Sequence, residues 1–316
     1  MLWPTSSSAD TASTPFDSDL QIHQAREVAD VLPDILVAAE RIANTVSLGM
    51  HGRRKSGPGE DFWQYRPYTF GEPATRIDWR RSASQEELQI REREWEAAHT
   101  VWLWPDLTGS MGYRSHLSDT VKRDRALILT LSLAMVLTRS GERVGLLGAM
   151  PARADRKVAE AIADILGAMK NPTALPIGAA PKRFTDIVVF SDFLDAVDDV
   201  NAGIARLSAL GARGHLVQIN DPIEESFPFT GRVQFTEAES GLKLTAGRAE
   251  VYRAAYQARL AERRDRLQAF CRKMGWTFAI HHTDRSISEA LMALYTRLTD
   301  DGTSDALPSE QISGAI

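Results

Sequence analysis

The sequence predicts an α/β protein with a doubly wound, mostly parallel sheet, preceded by a smaller N-terminal region of helical and β structure. From Thr100 onward, short apolar runs alternate with longer segments that have helical spacing. The short runs are rich in β-branched and aromatic residues, as is typical of strands buried on both faces. Hydrophobic residues make up 43% of the 316-residue chain, which is enough for the core of such a fold.

The composition limits the classes of function and the compartment. A net charge of -5 disfavours nucleic-acid binding through bulk electrostatics. The single cysteine, Cys271, excludes an intramolecular disulfide and suits a reducing compartment. The longest apolar run, 126–137, is shorter than the roughly 20 residues that a membrane-spanning helix needs. Because segment 1–19 also lacks the pattern of a signal peptide, we expect a cytoplasmic protein without a membrane span.

The chain divides into four parts on these patterns. We expect flexible polar tails at 1–19 and 299–316, an N-terminal region over 20–98, and the α/β domain over 99–298. A helix is predicted over 20–50, interrupted by Pro33, a residue that a first helical turn accommodates. An exposed strand of alternating charge is predicted over 89–96.

Basic residues of the N-terminal region are candidates for docking a partner. Some lie in a glycine-containing loop, and others lie among aromatic residues that follow it, where a solvated loop and a structural platform are the alternative interpretations. The candidates are Arg53, Arg54, Arg66 and Arg76.

The α/β domain is predicted to contain strands and helices in regular alternation, with one inserted hairpin. The predicted strands are 100–105, 143–150, 186–191, 214–220 and 276–281, with the hairpin over 232–245. The predicted helices are 118–139, 154–169, 197–210, 248–273 and 286–298.

Oxygen-bearing side chains follow the first of these strands, which ends at Pro105. Asp106, Thr108 and Ser110 stand at alternate positions of a glycine-containing loop, where they can converge on a hard cation such as Mg²⁺. The simpler alternative is that Asp106 and Ser110 satisfy the turn or cap the next helix.

A second aspartate strengthens the metal hypothesis. Asp192 directly follows the apolar strand 186–191. If the strand order is 3-2-1-4-5-6, this strand and the strand before Asp106 are neighbours at the switch point, where doubly wound folds bind ligands. Two carboxylates that close repel each other, and a divalent cation relieves the repulsion.

These residues resemble a known site. Asp106-x-Thr108-x-Ser110-Met111, together with Asp192, is similar to the metal-ion-dependent adhesion site of von Willebrand factor A domains. Within that superfamily the chain resembles the domain of unknown function 58 family over roughly residues 51–298. The motifs that carry the resemblance are Gly57-x-Gly59-Glu60-x-Phe62, Arg66-x-Tyr68-x-x-Gly71-Glu72, Arg76-Ile77-Asp78-Trp79, Ser191-Asp192-Phe193-Leu194-Asp195, Asp221-Pro222-x-Glu224 and Glu239-Ser240-Gly241.

The resemblance implies a binding role rather than chemistry. Asp106, Thr108, Ser110 and Asp192 would hold Mg²⁺, with Mn²⁺ or Ca²⁺ as alternatives, and Thr173 stands in the interval expected for a further ligand. A carboxylate of a partner protein would complete the metal shell. The expected partners are a MoxR-type AAA+ ATPase and other von Willebrand-like proteins, for which the chain would act as a non-enzymatic adaptor in the assembly or maturation of protein complexes.

Two other interpretations stay open at this point. Asp106-Leu107-Thr108-Gly109-Ser110 resembles the Asp-Lys-Thr-Gly-Thr of enzymes that form an aspartyl phosphate, which makes Asp106 a candidate nucleophile, although no lysine follows it. His281 and His282 could bind a metal at a strand end, but no third ligand is spaced to join them, which favours a simple polar pair at the strand end.

Overall fold

A computed structural model describes most of the chain. The described residues are 15–51, 62–69, 75, 77–83, 87–93, 99–176, 181–237 and 241–300. Arg53, Arg54 and Arg76 lie outside them, as do residues 1–14 and 301–316 of the predicted tails, and only the backbone of Arg66 is described.

The central sheet has six strands in the order β10-β7-β6-β3-β4-β5. The strands are β3 (Thr100–Pro105), β4 (Arg143–Leu146), β5 (Met150–Arg153), β6 (Asp186–Ser191), β7 (Arg213–Asn220) and β10 (Thr277–His282). All neighbours are parallel except β4 and β5. The predicted mostly parallel, doubly wound sheet is therefore confirmed, with β3 and β6 adjacent at the switch point.

The predicted strand 143–150 is wrong in one respect, because it is two antiparallel strands, β4 and β5, joined by a tight turn. Gly148 adopts φ +73 in this turn, a left-handed conformation that glycine adopts without steric cost. The apolar residues on both sides of the turn make the two short strands look like one continuous run.

Helices cover the sheet in two groups. The helices are α1 (Pro15–His51), α2 (Trp79–Ser82), α3 (Lys122–Arg139), α4 (Val158–Gly167), α5 (Val197–Ala209), α6 (Pro222–Ser226), α7 (Arg253–Lys273) and α8 (Ile287–Asp300). Helices α1, α3, α4 and α8 pack on one another, whereas α5 packs on α7 and these two contact β7 and β10. Among the described residues, no helix is both long enough and apolar enough to cross a membrane.

Helix α1 is longer than predicted and passes through Pro33 without ending. Pro33 is exposed, so the carbonyl that loses its hydrogen bond to this residue can bond to water. On the opposite face, a buried apolar stripe runs from one side of Pro33 to the other and holds both halves against the core. The stripe consists of Val28, Leu32, Ile35, Ala39, Ala43 and Val46.

Two small antiparallel sheets lie outside the central one. β1 (Phe62–Pro67) pairs with β2 (Gln89–Arg93), and β8 (Val233–Thr236) pairs with β9 (Lys243–Ala246), as predicted for the hairpin. Strand β2 carries Ile90, which is buried, so this strand is not exposed throughout. The division of the chain at residue 98 stays a prediction, but α1 contributes to the same hydrophobic core as the central sheet.

Candidate functional site

Asp106 is a buried carboxylate at the end of β3. Its backbone N–H donates to the carbonyl of Phe190 in β6 at 2.8 Å, which places it at the switch point. One carboxylate oxygen, Oδ1, accepts from the backbone N–H and the hydroxyl of Thr108 at 2.8 and 2.7 Å. The other, Oδ2, accepts from the Ser191 hydroxyl at 2.6 Å. Among the described residues, therefore, the hydrogen-bond partners of this carboxylate are all neutral.

The charge on Asp106 is costly in this position. Burial raises the pKa of Asp106 from an ordinary value of 3.8 to about 6. The hydrogen bond from Ser191 opposes this shift, whereas the nearby charge of Asp192 adds to it. A bound cation would stabilise the charged form of this carboxylate.

The two hydroxyls of the predicted metal motif lie next to this carboxylate. Thr108 Oγ1 and Ser110 Oγ are 3.3 Å apart, and Thr108 directly precedes a short 3-10 turn at Gly109–Gly112. Asp106 does satisfy the turn through the Thr108 N–H, so the simpler alternative holds in part. It does not cap helix α3, because that helix has Val121 at its N-cap position and no side-chain cap.

Ser191 is the first residue of the motif Ser191-Asp192-Phe193-Leu194-Asp195, but the sequence alone did not indicate its role. Its hydroxyl donates to Asp106 and accepts from the backbone N–H of Phe193 at 2.9 Å, so it joins the ends of β3 and β6.

We expect Ser191→Ala to lower the free energy of unfolding by about 1–2 kcal/mol, because a buried acceptor and a buried donor each lose a partner. Urea denaturation measures this, with the exposed Ser226→Ala as the control, and equal stability of the two variants would contradict the assignment.

Asp192 follows β6 and is engaged through both oxygens. Oδ1 accepts from the backbone N–H of Leu194 at 3.1 Å, and Oδ2 lies 2.9 Å from Lys122 Nζ. Its backbone carbonyl accepts from Gln218 Nε2 at 2.9 Å. The structure thus brings Asp106 and Asp192 to one edge of the sheet, as predicted, but among the described residues a cation pairs with Asp192 and none pairs with Asp106.

That cation, Lys122, is not among the site residues predicted from the sequence. Its side chain is fully buried, and Nζ also lies 2.8 Å from Glu224 Oε1. Burial alone would lower the pKa of Lys122, but the charges of Asp192 and Glu224 outweigh it, so the net shift is upward. The ammonium group therefore stays charged between two carboxylates.

The position of Lys122 at the start of a helix is a local signal that this lysine has an acidic partner. Helix α3 begins at Lys122 and not at Ser118, because the Ser118 hydroxyl bonds the backbone of Thr120 in a turn. The helix dipole disfavours a cation at a helix N-terminus. A lysine at this position therefore indicates an acidic partner elsewhere in the fold.

Phe193 takes a backbone conformation that usually favours glycine. It directly follows Asp192, and its φ is +50. The side chain is buried, with its ring centroid 6.4 Å from that of Phe278, and the carbonyl accepts from Arg263 Nε at 2.8 Å. These contacts hold the strained residue and fix the loop that carries Asp192.

Thr173 has a less defined place. It is exposed, and its backbone carbonyl accepts from Trp104 Nε1 at 3.0 Å, which puts this segment beside β3. None of the hydrogen bonds described for Thr173 reaches Asp106 or Asp192. Its role as a metal ligand stays a prediction.

Among the described residues, the histidine pair has no third metal ligand. His282 Nε2 lies 2.9 Å from Glu225 Oε1, while burial, with a smaller contribution from Arg125, lowers the pKa of His281 to about 4. Within the described ranges, no group of three or more His, Cys, Asp or Glu side chains could hold a metal ion. The set at β3 differs from such a group because hydroxyls supply part of it, and carboxylate plus hydroxyl oxygens suit a hard cation such as Mg²⁺.

Comparison with known proteins places the chain in a family. The family model described as "Protein of unknown function DUF58" matches residues 64–266, more than half of the chain. This protein belongs to the DUF58 family. The von Willebrand factor A-like assignment and the adhesion-type metal site stay predictions.

Relatives of this DUF58 protein carry no assigned activity in their names. The uncharacterized proteins Rv1480 of Mycobacterium tuberculosis and Mb1516 of Mycobacterium bovis are each 25% identical over 205 residues, which is 59% of this chain. The chain spans 63% of the length of these relatives.

Two solved structures also match the DUF58 chain, each over 64% of this chain and 100% of its own. An aerotolerance-related membrane protein of Bacteroides fragilis has 15% identity and a TM-score of 0.40. The conserved hypothetical protein BatB of Bacteroides thetaiotaomicron has 11% identity and a TM-score of 0.37. Likenesses at this level support no conclusion about function.

Proposed function

We propose that this protein is a non-enzymatic adaptor that binds a partner protein through a divalent cation. Asp106, Thr108 and Ser110 would hold Mg²⁺ at the end of β3, with Asp192 and Thr173 near the same shell. The cation would supply a Lewis-acidic position that a carboxylate of the partner can occupy. The proposed partner is a MoxR-type AAA+ ATPase, in the assembly or maturation of protein complexes.

The observation that carries this proposal is the state of the Asp106 carboxylate. It is 1% exposed, its hydrogen-bond partners among the described residues are neutral, and its pKa is raised to about 6. A protein that only needed a stable turn here would gain nothing from burying a charge. Two hydroxyls beside the carboxylate add the oxygen donors that Mg²⁺ prefers.

Exposed apolar side chains near the same sheet edge support a protein partner. Tyr113 and Leu117, in the loop after β3, are 39% and 45% exposed, and Leu194, two residues after Asp192, is 51% exposed. A polar centre flanked by exposed apolar residues is typical of a binding surface for another protein.

Capture of the partner tests the proposal. Immobilised protein is incubated with a purified MoxR-type ATPase, once with Mg²⁺ and once with EDTA. We expect capture by the wild type in Mg²⁺, and at least tenfold less in EDTA or with Asp106→Asn. Asp164→Asn, which removes an exposed carboxylate of α4, should capture as the wild type does. Equal capture in Mg²⁺ and EDTA would contradict the metal-bridged mechanism.

One observation favours a second candidate, an aspartyl-phosphate phosphotransferase or phosphatase with Asp106 as the nucleophile. The residue directly after Asp106 is Leu107 and not lysine, but Lys122 lies at the same sheet edge and pairs with Asp192. An ammonium group near a carboxylate nucleophile is a feature that phosphoryl transfer uses. Beryllofluoride with Mg²⁺ tests this candidate, since Asp106-dependent binding seen by fluorine NMR would favour the enzyme, and no binding would favour the adaptor.

A further inference from the structure

We infer that Lys122 is a built-in cation of the candidate metal site and that its charge weakens the binding of the divalent ion. This inference rests on the proposed function, because it concerns the same site. It assigns a role to a residue outside the predicted ligand set.

The contacts of Lys122 show where its charge acts. Nζ lies 2.9 Å from Asp192 Oδ2 and 2.8 Å from Glu224 Oε1, and the lysine side chain is 1% exposed. The Glu224 carboxylate is itself fixed, since Oε2 accepts from the backbone N–H of Asp221 at 2.8 Å in a capping box of α6. The lysine therefore joins the loop after β6 to helix α6, which follows β7.

The place of Lys122 determines where a further cation would lie. It already offsets the charge of Asp192 through Oδ2, whereas Oδ1 accepts from the neutral Leu194 N–H. Asp106 has no cation among its described partners. A divalent ion is thus favoured on the Asp106 side, next to the hydroxyls of Thr108 and Ser110.

The formal charges agree with this division. Asp106, Asp192 and Glu224 carry three negative charges when ionised, and Lys122 carries one positive charge. Lys122 thus offsets one of these three negative charges. Without Lys122, the same carboxylates would attract a divalent ion more strongly, because the repulsion between two positive charges would be gone.

Calorimetric titration of Mg²⁺ into three variants tests the inference. Lys122→Met should bind Mg²⁺ at least several-fold more tightly than the wild type, because the competing charge is gone. Glu224→Gln should bind it several-fold more weakly, because a nearby negative charge is gone while the Lys122–Asp192 pair remains. Lys157→Met, which removes an exposed lysine at the N-terminus of α4, should leave the affinity unchanged.

The outcomes separate this inference from the proposed function. Opposite shifts in Lys122→Met and Glu224→Gln would support the inference. If the wild type binds Mg²⁺ through Asp106 but both variants bind within twofold of it, only the role of Lys122 is overturned. If Lys122→Met does not fold, unchanged affinity in Glu224→Gln alone overturns the inference. If no folded variant binds Mg²⁺, both the inference and the metal-bridged function fail.

Discussion

Lys122→Met should lower the free energy of unfolding by about 3–5 kcal/mol in metal-free buffer, which is the usual cost of breaking a buried ion pair. Methionine fills most of the space of the lysine but leaves Asp192, with 3% of its side chain exposed, without its ion-pair partner. The cost is the desolvation of a buried charge that has lost its partner. Urea denaturation at neutral pH measures it.

Two controls separate this effect from a loss of packing. Lys157→Met, at an exposed position, should stay within about 0.5 kcal/mol of the wild type. The double variant Lys122→Met, Asp192→Asn should be more stable than Lys122→Met alone, because no unpaired charge remains at Asp192. If the double variant were no more stable than the single one, the loss would come from packing and not from charge.

Asp106→Asn should raise the free energy of unfolding by about 2 kcal/mol at pH 7.5 in metal-free buffer. The difference between a pKa of about 6 and the ordinary 3.8 corresponds to a cost of about 3 kcal/mol once the carboxylate is ionised. Asparagine removes that cost. Because its hydrogen bond to Ser191 is weaker, the gain in the free energy of unfolding is smaller by about 1 kcal/mol. A stabilising substitution in a buried polar cluster is unusual and would mark a residue kept for function.

The pH dependence gives this prediction a second readout. Because the pKa of Asp106 is raised in the folded state, its contribution to stability is complete below 3.8 and is lost as the pH rises through about 6. The advantage of Asp106→Asn should therefore shrink when the pH is lowered from 7.5 to 5. An advantage that is equal at both pH values, or a net loss of stability at pH 7.5, would contradict the assigned cost.

Much of the sheet could be predicted because its signals are local. The strand Asp186–Ser191 is a continuous apolar run with a clear end, and its bounds agree with the structure. The alternation of strands and helices predicts a mostly parallel sheet, and the strand order considered for a doubly wound fold brings Asp106 and Asp192 to one edge, as expected. A turn between two apolar runs is a weaker signal, so β4 and β5 were merged.

The parts that sequence could not supply depend on contacts between distant segments. Taken alone, Pro33 indicates the start of a helix. Helix α1 continues past Pro33 because the buried apolar stripe holds both halves of the helix against the core. Lys122 is separated by 70 residues from Asp192 and by 102 from Glu224. Its pairing with them became visible only when the ends of β6 and β7 were placed beside the start of α3.

The measurement that tests the metal-bridged account most directly is a calorimetric titration of Mg²⁺ into the wild type, Asp106→Asn and the control Asp164→Asn. The account predicts saturable binding of one ion by the wild type and by Asp164→Asn, and none by Asp106→Asn. Absence of binding in all three, or equal binding in all three, would contradict a metal site at the end of β3.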